Sequence, residues 1–171
     1  DGGGVTFEGR SLVGLRSDQI TALGVCRTFQ NIRLFAEMSV VENVLVGMHS
    51  RISLGLTDVL IRNGRFHRQE DKAWARAHEI LATVGLAGKE EELAKNLPYG
   101  DQRKLEIARA LASEPRLLLL DEPTAGMNPK ESSDLTQLIE RIRKQGISIL
   151  LIEHQMRVVM GISDRVIVLD H

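Results

Sequence analysis

Apolar positions along this chain change period twice. Over 5–7 they alternate, with Val5 and Phe7 flanking Thr6, and Glu8-Gly9-Arg10 follows as a turn, the pattern of a short hairpin. A second short strand is expected over 25–30, ending in the polar Gln30. From about residue 31 to residue 93 the period lengthens. Val40, Val41, Val44, Leu45 and Met48 recur at helical spacing, with Ser39 as N-cap and Glu42 where a capping box closes. Residues 55–64 form a weakly patterned connection. The stretch 68–84 then sets Trp74, Ala77, Ile80, Leu81 and Val84 on one helix face, and Gly85 stops it. No strand pattern interrupts this region, so it reads as a separate helical lobe.

A further helix follows 97–102 and runs to about residue 112, and beyond it the pattern turns α/β. Residues 117–120 are wholly apolar between Pro115 and Asp121, which suits a strand buried on both faces of a parallel sheet. An amphipathic helix over 132–144 is stopped by Gly146. A second buried strand over 147–152, a helix over 156–161 and a third strand over 166–169 complete the order. Such alternation implies a parallel sheet with right-handed crossovers. There is no internal repeat, low-complexity tract or heptad run.

Composition narrows the partners. With 43% apolar residues in 171, the chain can bury a real core, and a net charge of −1 gives no global argument for nucleic acid or an acidic membrane. No window approaches the roughly 20 apolar residues that span a bilayer, so any membrane link runs through another protein. The single cysteine, Cys26, excludes an internal disulfide and favours a reducing compartment; it reads as a small buried apolar residue. The chain starts at Asp1 with no methionine or signal peptide and stops just after an apolar run, so both ends are expected to be cut from something longer.

Candidate chemistry gathers where strands end. An open α/β sheet binds ligands at the carboxyl ends of its strands, and Asp121-Glu122-Pro123 stands there directly after the buried run. One acid in that place can hold Mg²⁺, directly or through water, and the other can polarise a water for attack on a phosphate. A solvated acidic turn would look the same. His154 ends the second strand and could sit near Glu122, contacting a phosphate or orienting water, although a surface histidine at a strand end fits equally. The other histidines (His49, His67, His78, His171) lack such a setting. Pro98-Tyr99-Gly100-Asp101-Gln102 brings a glycine to a helix N-terminus, where backbone N–H groups and the helix dipole favour phosphate. Alone that signal is weak, and Gln30 alone reads as an ordinary loop residue.

In order, however, these pieces resemble the motifs of ABC ATPases. Gln30 resembles the Q-loop glutamine, 97–102 the signature, 117–122 the Walker B strand with its following glutamate, Ala125-Gly126-Met127-Asn128 the D-loop, and His154 the switch histidine. A narrower likeness joins Arg27-Thr28-Phe29-Gln30-Asn31-Ile32-Arg33-Leu34-Phe35, Glu42-Asn43, Tyr99-Gly100-Asp101-Gln102-Arg103 and Ile152-Glu153-His154-Gln155-Met156 to the ATPase subunits of branched-chain amino-acid transporters. Relatives importing urea or other amides look similar. The resemblance implies a P-loop NTPase fold, a parallel core sheet with an α-helical subdomain, divided as 1–30 (core up to the Q-loop), 31–113 (helical subdomain with the signature) and 114–171 (C-terminal part of the core). It implies ATP and Mg²⁺ as ligands. Glu122 and His154 would be catalytic. Gln30, Tyr99, Gly100, Asp101, Gln102, Asp121 and Asn128 would contact nucleotide, and Asp121 and Gln30 the metal. Partners implied are a second ATPase subunit closing head to tail, transmembrane permease subunits and, indirectly, an extracytoplasmic solute-binding protein, all at the cytoplasmic face of the membrane.

The phosphate loop G-x-x-x-x-G-K-[ST] does not occur in the 171 residues, Gly88-Lys89 being followed by Glu90. In the family it would lie before residue 1. Without its lysine and backbone N–H groups these residues alone are expected to bind ATP poorly and to turn it over uselessly slowly. Pro98 stands where the signature usually carries serine, Tyr99 replaces a glycine, and Asn128 stands where many D-loops carry aspartate. Three other classes fit less well. Chromosome-maintenance ATPases insert a long coiled coil, whereas about 70 residues without heptads separate Gln30 from Gly100. Translation-linked relatives usually carry two such domains in tandem. A degenerate binding module would have little reason to keep both Glu122 and His154.

Overall fold

The computed structural model describes residues 3–49 and 64–169. A two-residue hairpin opens it, β1 (Thr6–Phe7) and β2 (Arg10–Ser11), antiparallel with Thr6 opposite Ser11. Glu8 and Gly9 turn it at positive φ, 48° and 77°, the handedness whose twist matches a hairpin. Helix α1 (Ser17–Ala22) leads into β3 (Val25–Arg27), shorter than the strand expected over 25–30. The Thr28 N–H still donates to the Leu119 carbonyl, but the carbonyls of Phe29 and Gln30 are taken by the Arg103 side chain, so the ladder ends.

The helical region holds α2 (Val40–Gly47), α3 (Gly64–Val84), a 3₁₀ turn (Ala94–Asn96) and α4 (Tyr99–Leu111). The capping box of α2 forms as the sequence requires: the Glu42 N–H donates to Ser39 Oγ at 3.3 Å, and the Ser39 N–H donates to the Glu42 carboxylate at 2.7 Å. Val40, Val41 and Val44 of α2, Ala77, Ile80, Leu81 and Val84 of α3, and Leu105, Ile107 and Ala108 of α4 share one buried cluster. Trp74 does not join it. At the outer end of the stripe, 37% exposed, its ring lies against His78 one turn along, centroids 6.2 Å apart. Helices α2 and α4 meet at Gly47, where a Cβ would fall on the Arg109 carbonyl oxygen. Apart from Gly64, the weakly patterned connection lies outside the described residues.

The sheet runs β3-β4-β5, all parallel, with β4 (Leu117–Asp121) central and β5 (Ser148–Ile152) at one side. Asp121 is in register with Ile152. Helix α5 (Pro129–Lys144) connects β4 to β5, and α6 (Met156–Ile162) follows β5. Asn128 caps α5 by accepting from the N–H groups of Lys130 and Glu131, Pro129 fills the first turn, and Arg141, Arg143 and Lys144 crowd the last, where the dipole favours cations. Leu118 and Leu120 are fully buried with Leu135, Leu138, Ile139 and Ile142 of α5.

Two expectations need correction. Strands β4 and β5 are not buried on both faces: in β4 Leu117 and Leu119 are half-buried while Leu118 and Leu120 find full cover, and in β5 Leu150 and Ile152 are about half exposed and Ile149 and Leu151 only half-buried. The third strand over 166–169 does not form among the described residues; Val166, Ile167, Val168 and Leu169 are irregular and exposed. An apolar run becomes a strand only when a sheet edge takes its N–H and C=O groups.

Candidate active site

The site is built at the carboxyl end of β4. Asp121 is the last residue of that strand, and Glu122 follows in the left-handed region at φ 42°, a conformation costly for a residue with a Cβ and common where geometry is functional. The Glu122 N–H donates to the carbonyl of Ile152, the last residue of β5, and the Glu122 carbonyl accepts from the Ala125 N–H. These bonds tie the turn after β4 to the end of β5 and aim the Glu122 side chain across the sheet edge.

Two other segments converge on that side chain. Gln30 Nε2 donates to Glu122 Oε2 at 3.0 Å, and His154 Nδ1 stands 3.4 Å from Glu122 Oε1. Gln30, 92 residues away in sequence, arrives on the loop after β3, and His154 on the loop after β5. The carboxylate after the central strand thus accepts from Gln30 and lies beside the His154 ring, whose Nδ1 is also 3.5 Å from Glu153 Oε1. Glu122 remains 29% exposed and His154 67%, so water reaches both. Beside them Asp121 Oδ2 accepts from Arg27 Nη2 at 2.9 Å.

The remaining residues expected in the site lie elsewhere. Tyr99, Gly100, Asp101 and Gln102 form the first turn of α4, which begins after Pro98 with no side-chain cap. The Asp101 and Gln102 N–H groups donate to the Pro98 carbonyl. Those of Tyr99 and Gly100 precede any intrahelical acceptor. Tyr99 Oη donates to the Ala125 carbonyl at 3.1 Å, and its ring covers Gly126, so the start of α4 rests on the turn after Glu122. Asp101 pairs with Lys89 at 2.7 Å and Lys104 at 2.9 Å. Burial works to raise its carboxyl, and the two ammonium groups more than offset this, holding it below the usual carboxylate range. Lys89 in turn is held above the usual lysine range by its bond to Asp101. Gln102 donates to the Leu97 carbonyl, and Asn128 Oδ1 is engaged in capping α5.

Four residues matter that sequence reasoning gave no role. Glu153, its side chain fully buried, accepts from Thr124 Oγ1 at 2.6 Å and from the His154 and Gln155 N–H groups, which fixes the loop that carries His154. Arg103 and Glu106 form a buried ion pair at 2.7 Å inside α4, and Arg103 reaches the backbone of Phe29 and Gln30. Thr124 is likewise buried. The available signal was a Glu next to the histidine and an i,i+3 charge pair among apolar neighbours.

A parallel sheet with a carboxylate after its central strand, beside a glutamine and a histidine, is the arrangement of an α/β protein that gathers its chemistry at the carboxyl ends of its strands. Residues 1–125 match the ABC transporter family, and the chain belongs to it. It is 48% identical over 170 residues to the high-affinity branched-chain amino acid transport ATP-binding protein LivG of Salmonella typhimurium, and 44% identical to BraF, similarly described, of Pseudomonas aeruginosa. Each alignment covers 99% of this chain and 67% of the relative. Among solved structures, a nucleotide-free ATP-binding cassette from an ABC transporter superposes with a TM-score of 0.78 at 28% identity, covering 96% of this chain and 64% of that one. The chain thus spans about two thirds of the length of its relatives. Its fold is that of an ABC ATPase cassette.

Proposed function

We propose that this chain supplies the Q-loop, signature, catalytic carboxylate and switch histidine of an ATP-hydrolysing subunit that powers import of branched-chain or related amino acids. One observation carries the reading: Gln30 donates to Glu122 and His154 stands 3.4 Å from it, each on the loop that follows a flanking strand. The phosphate loop would precede residue 1, and residues 1–30, 31–113 and 114–171 would be the three parts of the cassette.

Glu122 would take a proton from the water attacking the terminal phosphate of ATP. Gln30 and His154 orient its carboxylate, and His154, with its greater exposure, also reaches the phosphate. The left-handed backbone at Glu122 keeps the carboxylate at the sheet edge as the water approaches. Asp121 and Gln30 fit Mg²⁺ through hard oxygens: Asp121 Oδ1, its Oδ2 being held by Arg27, and the side-chain oxygen Gln30 Oε1, which is left by the bond Nε2 makes to Glu122. Among the described residues no group of three or more His, Cys, Asp or Glu could hold a metal unaided. That suits an ion usually bound by one or two carboxylates plus phosphates. When bound, Mg²⁺ would neutralise phosphate charge. The uncapped first turn of α4, with the N–H groups of Tyr99 and Gly100, would face nucleotide held by a second subunit. Asp101, Gln102 and Asn128 would shape that contact through the bonds they already make. The pair of ATPases would drive transmembrane permease subunits, fed by a solute-binding protein, from the cytoplasmic face.

The test uses the cassette read from its complete coding sequence, co-expressed with candidate permease subunits. ATP turnover should fall at least a hundredfold in Glu122→Gln, the usual contribution of a general base being about 10²–10⁴, and substantially in His154→Ala. Leucine uptake into proteoliposomes should fall with it. Turnover unchanged by Glu122→Gln would defeat the mechanism. Uptake of urea or amides instead of leucine would move the chain to the related importers.

A further inference from the structure

We infer that Arg103 is a positioning residue, a buried strut on α4 that sets where Gln30 stands and so holds the Gln30 amide on the Glu122 carboxylate. The inference rests on the ATPase reading above and concerns residues that reading leaves without a role.

The segment after β3 is tied at its far end, where Phe35 exchanges hydrogen bonds with the Asn43 side chain, but its near end has left the sheet. Once the Thr28 N–H has joined the sheet, residues 29–35 form no regular structure. Arg103 and Glu106 take over there. Arg103 Nη1 donates to the Phe29 carbonyl at 2.7 Å and Nη2 to the Gln30 carbonyl at 2.7 Å. The Phe29 N–H donates to Glu106 Oε1 at 3.4 Å, while Glu106 Oε2 accepts from Arg103 Nη1 at 2.7 Å. One ion pair, 0% and 2% exposed, thus grips both polar groups of one backbone residue and the carbonyl of the next.

Stability alone does not explain it. Burying an ion pair brings little net gain, and an apolar pair of similar volume often does as well. Arg103 Nε has no partner, so the arrangement even leaves a buried donor unsatisfied. What guanidinium supplies is direction: its rigid fork reaches two successive carbonyls at once, which an ammonium cannot do. Arg103 Nη2 also lies 3.4 Å from Tyr99 Oη, which itself donates to the Ala125 carbonyl. The guanidinium therefore touches the Gln30 loop and the start of α4, and through Tyr99 the turn after Glu122. A shift in one is felt by the others.

The experiment is a double-mutant cycle in the complete cassette. ATP kcat and KM are measured for the wild type, Arg103→Lys, Gln30→Ala and the double variant, with thermal melts confirming that each folds. Losing one charge-assisted hydrogen bond's worth of positioning should lower kcat in Arg103→Lys roughly tenfold, with KM within about twofold. Once Gln30 is alanine, Arg103→Lys should lower kcat by less than about twofold further, because the group it positions is gone. Equal losses in both backgrounds, or an unchanged kcat, would overturn the inference. If Arg103→Lys does not fold, Glu106→Gln, which keeps the shape and removes the charge, carries the same cycle with the same two outcomes. Hydrogen exchange over residues 28–35 reads the tie without nucleotide: it should quicken in Arg103→Lys or Glu106→Gln, and unchanged exchange overturns the inference. A wild-type cassette that fails to hydrolyse ATP while exchange responds as expected would count against the ATPase reading and not against the strut.

Discussion

Asp101 shows how a single residue near the site can be tied into stability before any ligand arrives. Its carboxylate lies in the first turn of α4, where a helix N-terminus already favours negative charge, and Lys89 and Lys104 close on it. The folded carboxyl ionises below the usual range, so its contribution is complete above the unfolded carboxylate range and is lost as pH falls through the lower folded value. Lys89, raised when folded, contributes fully below the ordinary lysine range and loses that contribution as pH rises through its higher folded value. Asp101→Asn should therefore lower stability by about 1 kcal/mol across neutral pH, as partly exposed ion pairs do. Urea midpoints of parent and variant should converge in strong acid. A difference that persists there would mean that the asparagine disturbs packing instead of charge. At this scale, Glu122 and His154 were legible in the sequence because each follows a buried strand-like run, whereas Gln30 was legible only through the order of motifs that carries the family resemblance.

Helices and strands of this chain hold together through a few close approaches. One is α2 against α4 at Gly47, which sets the helical region against the helix that carries Tyr99 and Arg103. Gly47→Ala would push its methyl group into the Arg109 carbonyl, and overpacking against backbone costs about 1–3 kcal/mol. Chemical denaturation should show that loss, and because α4 positions Gln30 through Arg103, ATP turnover of the complete cassette should fall as well. Stability unchanged within error would mean that the two helices slide apart freely. Boundaries marked by local chemistry hold, as at Ser39 with Glu42, Gly85 and Gly146, whereas two helices start earlier than read: at Gly64 instead of residue 68, and at Pro129 instead of residue 132, where Asn128 and Glu131 form a cap the pattern did not reveal. The strands fared less well. β3 stops early because a side chain 73 residues away takes its carbonyls, and 166–169 remains unpaired.

For the whole molecule, the 171 residues bring together the groups that would act on a phosphate but contain no G-x-x-x-x-G-K-[ST] loop to grip one. Expressed alone they should hydrolyse ATP no faster than their Glu122→Gln variant, measured by phosphate release at millimolar ATP. Turnover well above that control would show that the first turn of α4 and the Glu122 cluster suffice. No helix among the described residues is long and apolar enough to cross a membrane.

The sequence by itself determined the helices with a clear apolar stripe, the Ser39–Glu42 cap, the motif positions and the family resemblance, since each depends on neighbours within a few residues or on spacing along the chain. Only the tertiary structure decided which of those motifs meet. It brought Gln30 and His154 onto Glu122 and set Tyr99 over Gly126. It also buried Arg103 and Glu106 beneath the Gln30 loop. Register between parallel strands and the reach of a buried side chain depend on how distant segments pack, and hydrophobic period carries no record of that.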